Sequence, residues 1–174
     1  MGSFVAFVPT PFDHIDPFFE LAPVSSNDVV YDLGSGDGRL VFAALEKGAG
    51  KAVGVELNAE LARKARETAL EKGFQDKATF LEGDVMDVSL SEATVVVCYL
   101  ITAASIALKP KFPSELKPGA RVVMESFPVP GWKPVETRSH EYKTFYLYRM
   151  PPEIDEKWQP QSVEPDYGDY GYCL

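Results

Sequence analysis

Val30-Tyr31-Asp32-Leu33-Gly34-Ser35-Gly36-Asp37-Gly38-Arg39 is an apolar strand that ends in an acid and then runs through three alternate glycines into a helical pattern. Glycine at these positions lets the backbone turn sharply and bring its N–H groups against a ligand with no Cβ in the way. The helix that follows aims its positive N-terminus at the same point. The spacing is G-x-G-x-G. A dinucleotide fingerprint, G-x-G-x-x-G, would put its third glycine where Arg39 stands.

Beyond this turn, strand and helix signals alternate, which predicts an α/β fold with a Rossmann-like, doubly wound, mostly parallel sheet. The first strand is placed at residues 29–33 and its helix at 39–47, stopped by Gly48. A second strand follows at 52–56. The next helix is capped by Asn58, carries the apolar stripe Leu61, Ala62, Ala65, Ala69 and Leu70, and ends at Gly73. Further strands are expected at 78–82, 94–99 and 120–126, with a helix over part of 103–112. The runs 134–140 and 143–149 break the alternation and predict a C-terminal antiparallel hairpin. Residues 1–27, rich in Pro and aromatics, read as a mostly extended arm with a short helix at 16–21. Residues 151–174, rich in Pro, Glu, Asp, Tyr and Gly, read as a flexible acidic tail. One domain, 28–150, is left between them.

At 174 residues the chain has room for one core. Its 45% apolar and 25% charged content are ordinary for a soluble globular protein. No apolar run approaches the roughly 18 residues needed to span a bilayer, so no stable membrane insertion is expected. Net charge is −9, with 17 basic against 26 acidic residues. That balance disfavours a nucleic-acid partner, which needs clustered Lys and Arg, and is compatible with a basic, lysine-bearing protein. The two cysteines, Cys98 and Cys173, form neither a disulfide framework nor a zinc spacing, and no metal cluster is evident. A cytoplasmic compartment is the expectation, with an organellar one open if a presequence has been removed. Oligomeric state is open.

Asp32, Glu56 and Asp84 end strands one, two and three and line one crevice at the carboxyl edge of the sheet, where ligands of such folds bind. Glu56, about 20 residues beyond the glycine loop, is placed to accept from ribose hydroxyls. The string from Asp32 to Gly38 resembles motif I of class I S-adenosyl-L-methionine (AdoMet)-dependent methyltransferases. The resemblance implies that Gly34, Ser35, Gly36 and Gly38 cradle AdoMet and that Asp32 meets its amino group. It implies further that Asp84 and the Val85 N–H bind the adenine edge while Leu57 and Val85 wall the ring. Two readings of Asp37 stand, a cofactor contact and a cap on the first helix. A turn-forming role for Asp84 stands beside the adenine one.

Methyl transfer from a sulfonium is an in-line displacement on an activated carbon. It requires alignment and desolvation rather than a covalent nucleophile or a metal. An acceptor amine must lose a proton before it attacks. Tyr99, after strand four, is placed to flank the sulfonium and the acceptor through cation–π attraction, or to pack in the core. Glu125 and Ser126 end strand five and are candidates to hold an acceptor ammonium. Trp132 lines an acceptor channel or packs the hairpin.

The segments Val8-Pro9-Thr10-Pro11, Ala52-Val53-Gly54-Val55-Glu56, Ser91-Glu92-Ala93-Thr94-Val95-Val96, Leu108-Lys109-Pro110-Lys111, Leu116-Lys117-Pro118-Gly119 and Gly131-Trp132 narrow the resemblance. Together with the glycine run they resemble the small archaeal protein-lysine methyltransferases and their mitochondrial relatives. This implies N-methylation of lysine in a protein substrate, with Pro9 and Thr10 in an arm that covers the cofactor. A small-molecule N- or O-methyltransferase and a non-catalytic AdoMet-binding module are the alternatives.

Overall fold

The computed structural model describes residues 10–100 and 102–160. Its elements run α1 (Ile15–Leu21), β1 (Val29–Leu33), α2 (Arg39–Glu46), β2 (Lys51–Glu56), α3 (Ala59–Glu71), β3 (Ala78–Glu82), β4 (Val95–Cys98), α4 (Thr102–Leu108), α5 (Lys111–Glu115), β5 (Arg121–Glu125), β6 (Trp132–Lys133), β7 (Glu136–His140), β8 (Lys143–Arg149) and β9 (Glu153–Ile154). Seven strands form one sheet in the order β3-β2-β1-β4-β5-β8-β7, and β6 pairs with β9 apart from it. The pairings from β3 through β5 are parallel, and β8 is antiparallel to both of its neighbours. The expected α/β architecture and the C-terminal hairpin are both present.

A parallel sheet covered on both faces needs strands that are apolar on both sides. The run Val95-Val96-Val97-Cys98 meets this demand, and all four residues are fully buried. Because side chains alternate along a strand, Val95 and Val97 enter one core with Phe18, Phe42, Phe80 and Phe145, while Val96 and Cys98 enter the other with Phe112, Trp132 and Tyr148. Trp132 is 2% exposed and packs on Tyr148 and Phe112, at ring-centroid distances of 5.6 and 6.3 Å. It is a core residue and lines no acceptor channel.

Two expectations need correction, and a third, the helix over part of 103–112, is met by α4 and gains a second helix beside it. Residues 12–21 are helical, a 3₁₀ turn over Phe12–His14 followed by α1, instead of a mostly extended arm with a helix at 16–21. Ile15, Phe18, Phe19 and Leu21 are all buried there, and Phe18 meets Phe145 of β8 edge to face at 5.1 Å. Pro17 is compatible because it stands in the first turn, where the N–H has no intrahelical partner. The helix expected within 103–112 is two helices, with Lys109 and Pro110 between α4 and α5. The tail is tied down as far as the structure describes it: β9 pairs with β6, and Trp158 packs on Tyr146 at 6.0 Å. Residues 161–174 and Cys173 lie outside the described residues.

Phe18 therefore belongs to the core. Phe18→Ala is expected to lower stability by about 3–5 kcal/mol in chemical denaturation. A loss below about 1 kcal/mol would mean that α1 is a detachable cover.

Candidate active site

The glycine loop between β1 and α2 is built on left-handed backbone. Gly34, Gly36 and Gly38 have φ of 87°, 54° and 84°, values that glycine adopts without a Cβ penalty. Gly38 is constrained twice, since a Cβ there would stand 2.6 Å from Cζ of Phe80. The N–H groups of Gly34 and Ser35 donate to the Val55 carbonyl at 2.9 and 3.0 Å, and that of Gly38 to the Ser35 carbonyl at 2.8 Å. Glu56, at the end of β2, accepts from Gly36 N–H on Oε2 and from Asn58 N–H on Oε1, each at 2.8 Å. One lone pair on each oxygen remains for a ligand, so the carboxylate both braces the loop and faces the crevice. Asn58 then caps α3 by accepting from the Glu60 and Leu61 N–H groups.

Asp32 is 3% exposed at the end of β1. Burial, and then the negative charges of Glu56 and Asp37, push its carboxyl up to about 8. An acid held in this state accepts a cationic partner readily, because the partner's charge offsets both penalties. Leu57 is 67% exposed beside Glu56, an unusual position for a large apolar side chain and one that suits the wall of a bound ring. Val85 is half-buried against the second core. The Asp84 carboxylate is exposed and accepts from Met86 N–H at 2.9 Å, so it forms its turn and stays accessible.

Asp37 accepts from both the backbone N–H and the Nε of Arg39, at 3.2 and 2.9 Å, and so braces the start of α2, whose N-cap is Gly38. Arg39 continues outward. Its Nη1 donates to the Thr10 carbonyl at 2.6 Å, and its guanidinium lies 4.4 Å from the centroid of the Phe12 ring. The buried Thr10 is thereby tied to the glycine loop, whereas Pro9 lies outside the described residues. The residue that breaks the dinucleotide spacing is thus the link to the N-terminal segment. Nothing in its sequence position marked that role.

A second group of side chains lies at the carboxyl ends of β4 and β5. Tyr99 is half-buried, and its hydroxyl accepts from Lys143 Nζ at 3.4 Å. The same ammonium lies 5.2 Å from the Tyr99 ring centroid and 5.5 Å from that of Tyr142. Glu125 is fully buried. Burial pushes its carboxyl up, opposed by the charges of His14 and Lys143 and by the His14 hydrogen bond, at 3.2 Å between His14 Nδ1 and Glu125 Oε1. Ser126 has a left-handed φ of 65°. His14 Nε2, Glu125 Oε2, Ser126 Oγ and His140 Nε2 are buried without a hydrogen-bond partner. Buried polar atoms left unpaired in this way mark a place that expects a ligand or water.

The sequence reading missed His14, His140 and Lys143. A usable signal existed in composition, since the chain has 2 histidines and the fold brings both rings to within 5.7 Å. Only the β7–β8 hairpin and the 3₁₀ turn put them there.

Similarity to known proteins agrees with this geometry. The family model described as the ANTKMT methyltransferase domain matches residues 32–136, more than half of the chain. A protein-lysine N-methyltransferase of Saccharolobus islandicus is 44% identical over 149 residues, covering 83% of this chain and 92% of its own. The adenine nucleotide translocase lysine N-methyltransferase of Mus musculus is 41% identical over 104 residues, covering 60% of this chain and 45% of its own, so the match spans less than half of that longer relative. Among solved structures, an RNA methyltransferase of Salinibacter ruber in complex with S-adenosyl-L-homocysteine superposes with a TM-score of 0.79 at 39% identity, over 88% of this chain and 98% of that one. With an AdoMet-type glycine loop, three strand-end carboxylates and these relatives, the chain belongs to the ANTKMT methyltransferase domain family and is a class I methyltransferase that uses AdoMet.

Proposed function

We propose that this protein is a protein-lysine N-methyltransferase. The observation that carries the reading is the Lys143 ammonium, which rests on Tyr99 and acts electrostatically on Glu125. A lysine head group therefore suits the aromatic and carboxylate surfaces at the acceptor end. The relatives named for lysine methylation in Saccharolobus islandicus and mouse support the same substrate class. A net charge of −9 and buried carboxylates suit a cationic side chain better than a polyanion. That weighs against carrying over the RNA in the name of the Salinibacter protein.

In this reading AdoMet lies across the crevice. The glycine loop approaches its methionine part, Asp32 pairs with the α-ammonium, Glu56 accepts from the ribose hydroxyls, and Leu57, Asp84 and Val85 receive the adenine. Thr10 closes the crevice from above. Tyr99 and Glu125 face the acceptor. Glu125 takes the acceptor's ammonium proton and frees its nitrogen lone pair, and Tyr99 stabilises positive charge at the transferring group. Bound AdoMet would supply the methyl and leave as S-adenosyl-L-homocysteine as its sulfur–methyl bond breaks.

Labelled AdoMet incubated with lysine-bearing proteins, RNA and small amines should label lysine ε-amino groups. Label confined to RNA or to low-mass products would overturn the reading. Glu125→Gln is expected to lower kcat by about 100-fold or more with AdoMet affinity retained. Equal kcat in variant and wild type would remove Glu125 from the chemistry.

For the cofactor half, Glu56→Ala and Gly36→Val should each abolish AdoMet binding in calorimetry while circular dichroism stays native. Unchanged affinity in both would refute the placement.

Asp32 supplies a pH test. The folded protein holds its proton up to about pH 8, while the unfolded chain releases it near 3.8, the ordinary aspartate value. The folded state therefore binds the extra proton between these values, and ligand-free stability falls as pH rises through that window. An α-ammonium beside the carboxylate favours ionisation, so AdoMet binding at pH 7 should release about one proton. Calorimetry in buffers of different ionisation enthalpy reads this directly. Release that persists in Asp32→Asn would assign the proton elsewhere.

A further inference from the structure

We propose that Asp13, His14 and Glu141 form a binding site for a first-row divalent cation, with Glu125 as the outer partner that orients the histidine. The two ring nitrogens of His14 are the starting point. His14 is fully buried, and its Nδ1 lies 3.2 Å from Glu125 Oε1. With Nδ1 engaged by Glu125, Nε2 is the nitrogen left to bind an ion. Nε2 has no hydrogen-bond partner. It points at the Glu141 carboxylate, 3.5 Å away. The Asp13 carboxylate completes the group, and the three ligand atoms lie within 4.8 Å of one another.

A buried nitrogen facing two carboxylates gathers three ligand atoms that one cation can share. The carboxylate–imidazole pair behind the open nitrogen is the arrangement that supports metal-bound histidines, since it fixes ring and tautomer and raises ligand basicity. The rings of His140, Tyr142 and Phe145 stand edge-on to His14 at 5.7, 5.7 and 6.3 Å and hold it in place. Asp13 and Glu141 are exposed, which gives an ion an entry path and leaves outer positions for water. Bonds of about 2.0–2.2 Å place ligand atoms roughly 3–4 Å apart, a closure within reach of two exposed side chains. One imidazole and two carboxylates suit Zn²⁺ or Mn²⁺, whereas Ca²⁺ takes oxygen ligands throughout.

The ion would bridge the 3₁₀ turn of Phe12–His14 and the turn between β7 and β8, directly outside Glu125. Its role is to secure the N-terminal segment over the acceptor end and to hold Glu125 in one orientation. It takes no part in methyl transfer, and its binding does not depend on which acceptor the enzyme uses.

Tag-free, chelator-treated full-length protein titrated with Zn²⁺ by calorimetry, and with Mn²⁺ by electron paramagnetic resonance, should bind one ion per chain. Asp13→Asn and Glu141→Gln, both at exposed positions that leave the fold intact, should remove that ion. Glu125→Gln should weaken binding by about 10–100-fold. Absence of a stoichiometric ion would overturn the site. Equal affinity in wild type, Asp13→Asn and Glu141→Gln would also overturn it.

Discussion

The crevice depends on one carboxylate. Glu56 accepts from the Gly36 N–H on one oxygen and from the Asn58 N–H on the other. It joins the glycine loop after β1 to the start of α3 after β2. It adds to the backbone hydrogen bonds of Gly34, Ser35 and Gly38 in fixing a loop of three left-handed glycines, and glycine gives up more conformational freedom on folding than other residues. The brace also brings negative charge close to Asp32, whose carboxyl is already raised by burial. The resting crevice is thus under electrostatic tension that a cationic ligand relieves.

The acceptor end follows a different logic. Its polar groups come from segments far apart in the chain: His14 before α1, Tyr99 after β4, Glu125 at the end of β5, and His140 and Lys143 from the terminal hairpin. Glu125 is tolerated at zero exposure because it shares a hydrogen bond with His14 and Lys143 acts on it electrostatically. The N-terminal segment is consequently more than a cover. Its apolar face, Ile15, Phe18, Phe19 and Leu21, is part of the core, and that anchoring delivers His14 to the site.

Much of the fold was readable in advance because its signals are local. Asn58 caps α3 where the pattern put it, Gly73 follows its end, and the β-branched run before Tyr99 is the buried central strand. The failures share one cause. Residues 12–15 stand among prolines and aromatics that read as extended, yet form a 3₁₀ turn and the start of α1, whose Phe18 packs against Phe145 of β8. The region after Pro151 has a disordered composition, yet β9 pairs with β6 and Trp158 finds Tyr146. In both places burial against distant residues overrode the local composition.

Short-range spacing was enough to establish the α/β alternation, a glycine turn unlike the dinucleotide fingerprint, and the acids at the ends of β1, β2 and β3. The methyltransferase type of that turn came from its resemblance to motif I. Three-dimensional packing was needed to show that Arg39 ties Thr10 to the loop, that Trp132 is core, and that both histidines gather beside Glu125. The contact of His14 with Glu125 joins residues 111 apart. His140 reaches it only when the sheet closes with β8 and β7 beside β5, and no local pattern encodes that proximity.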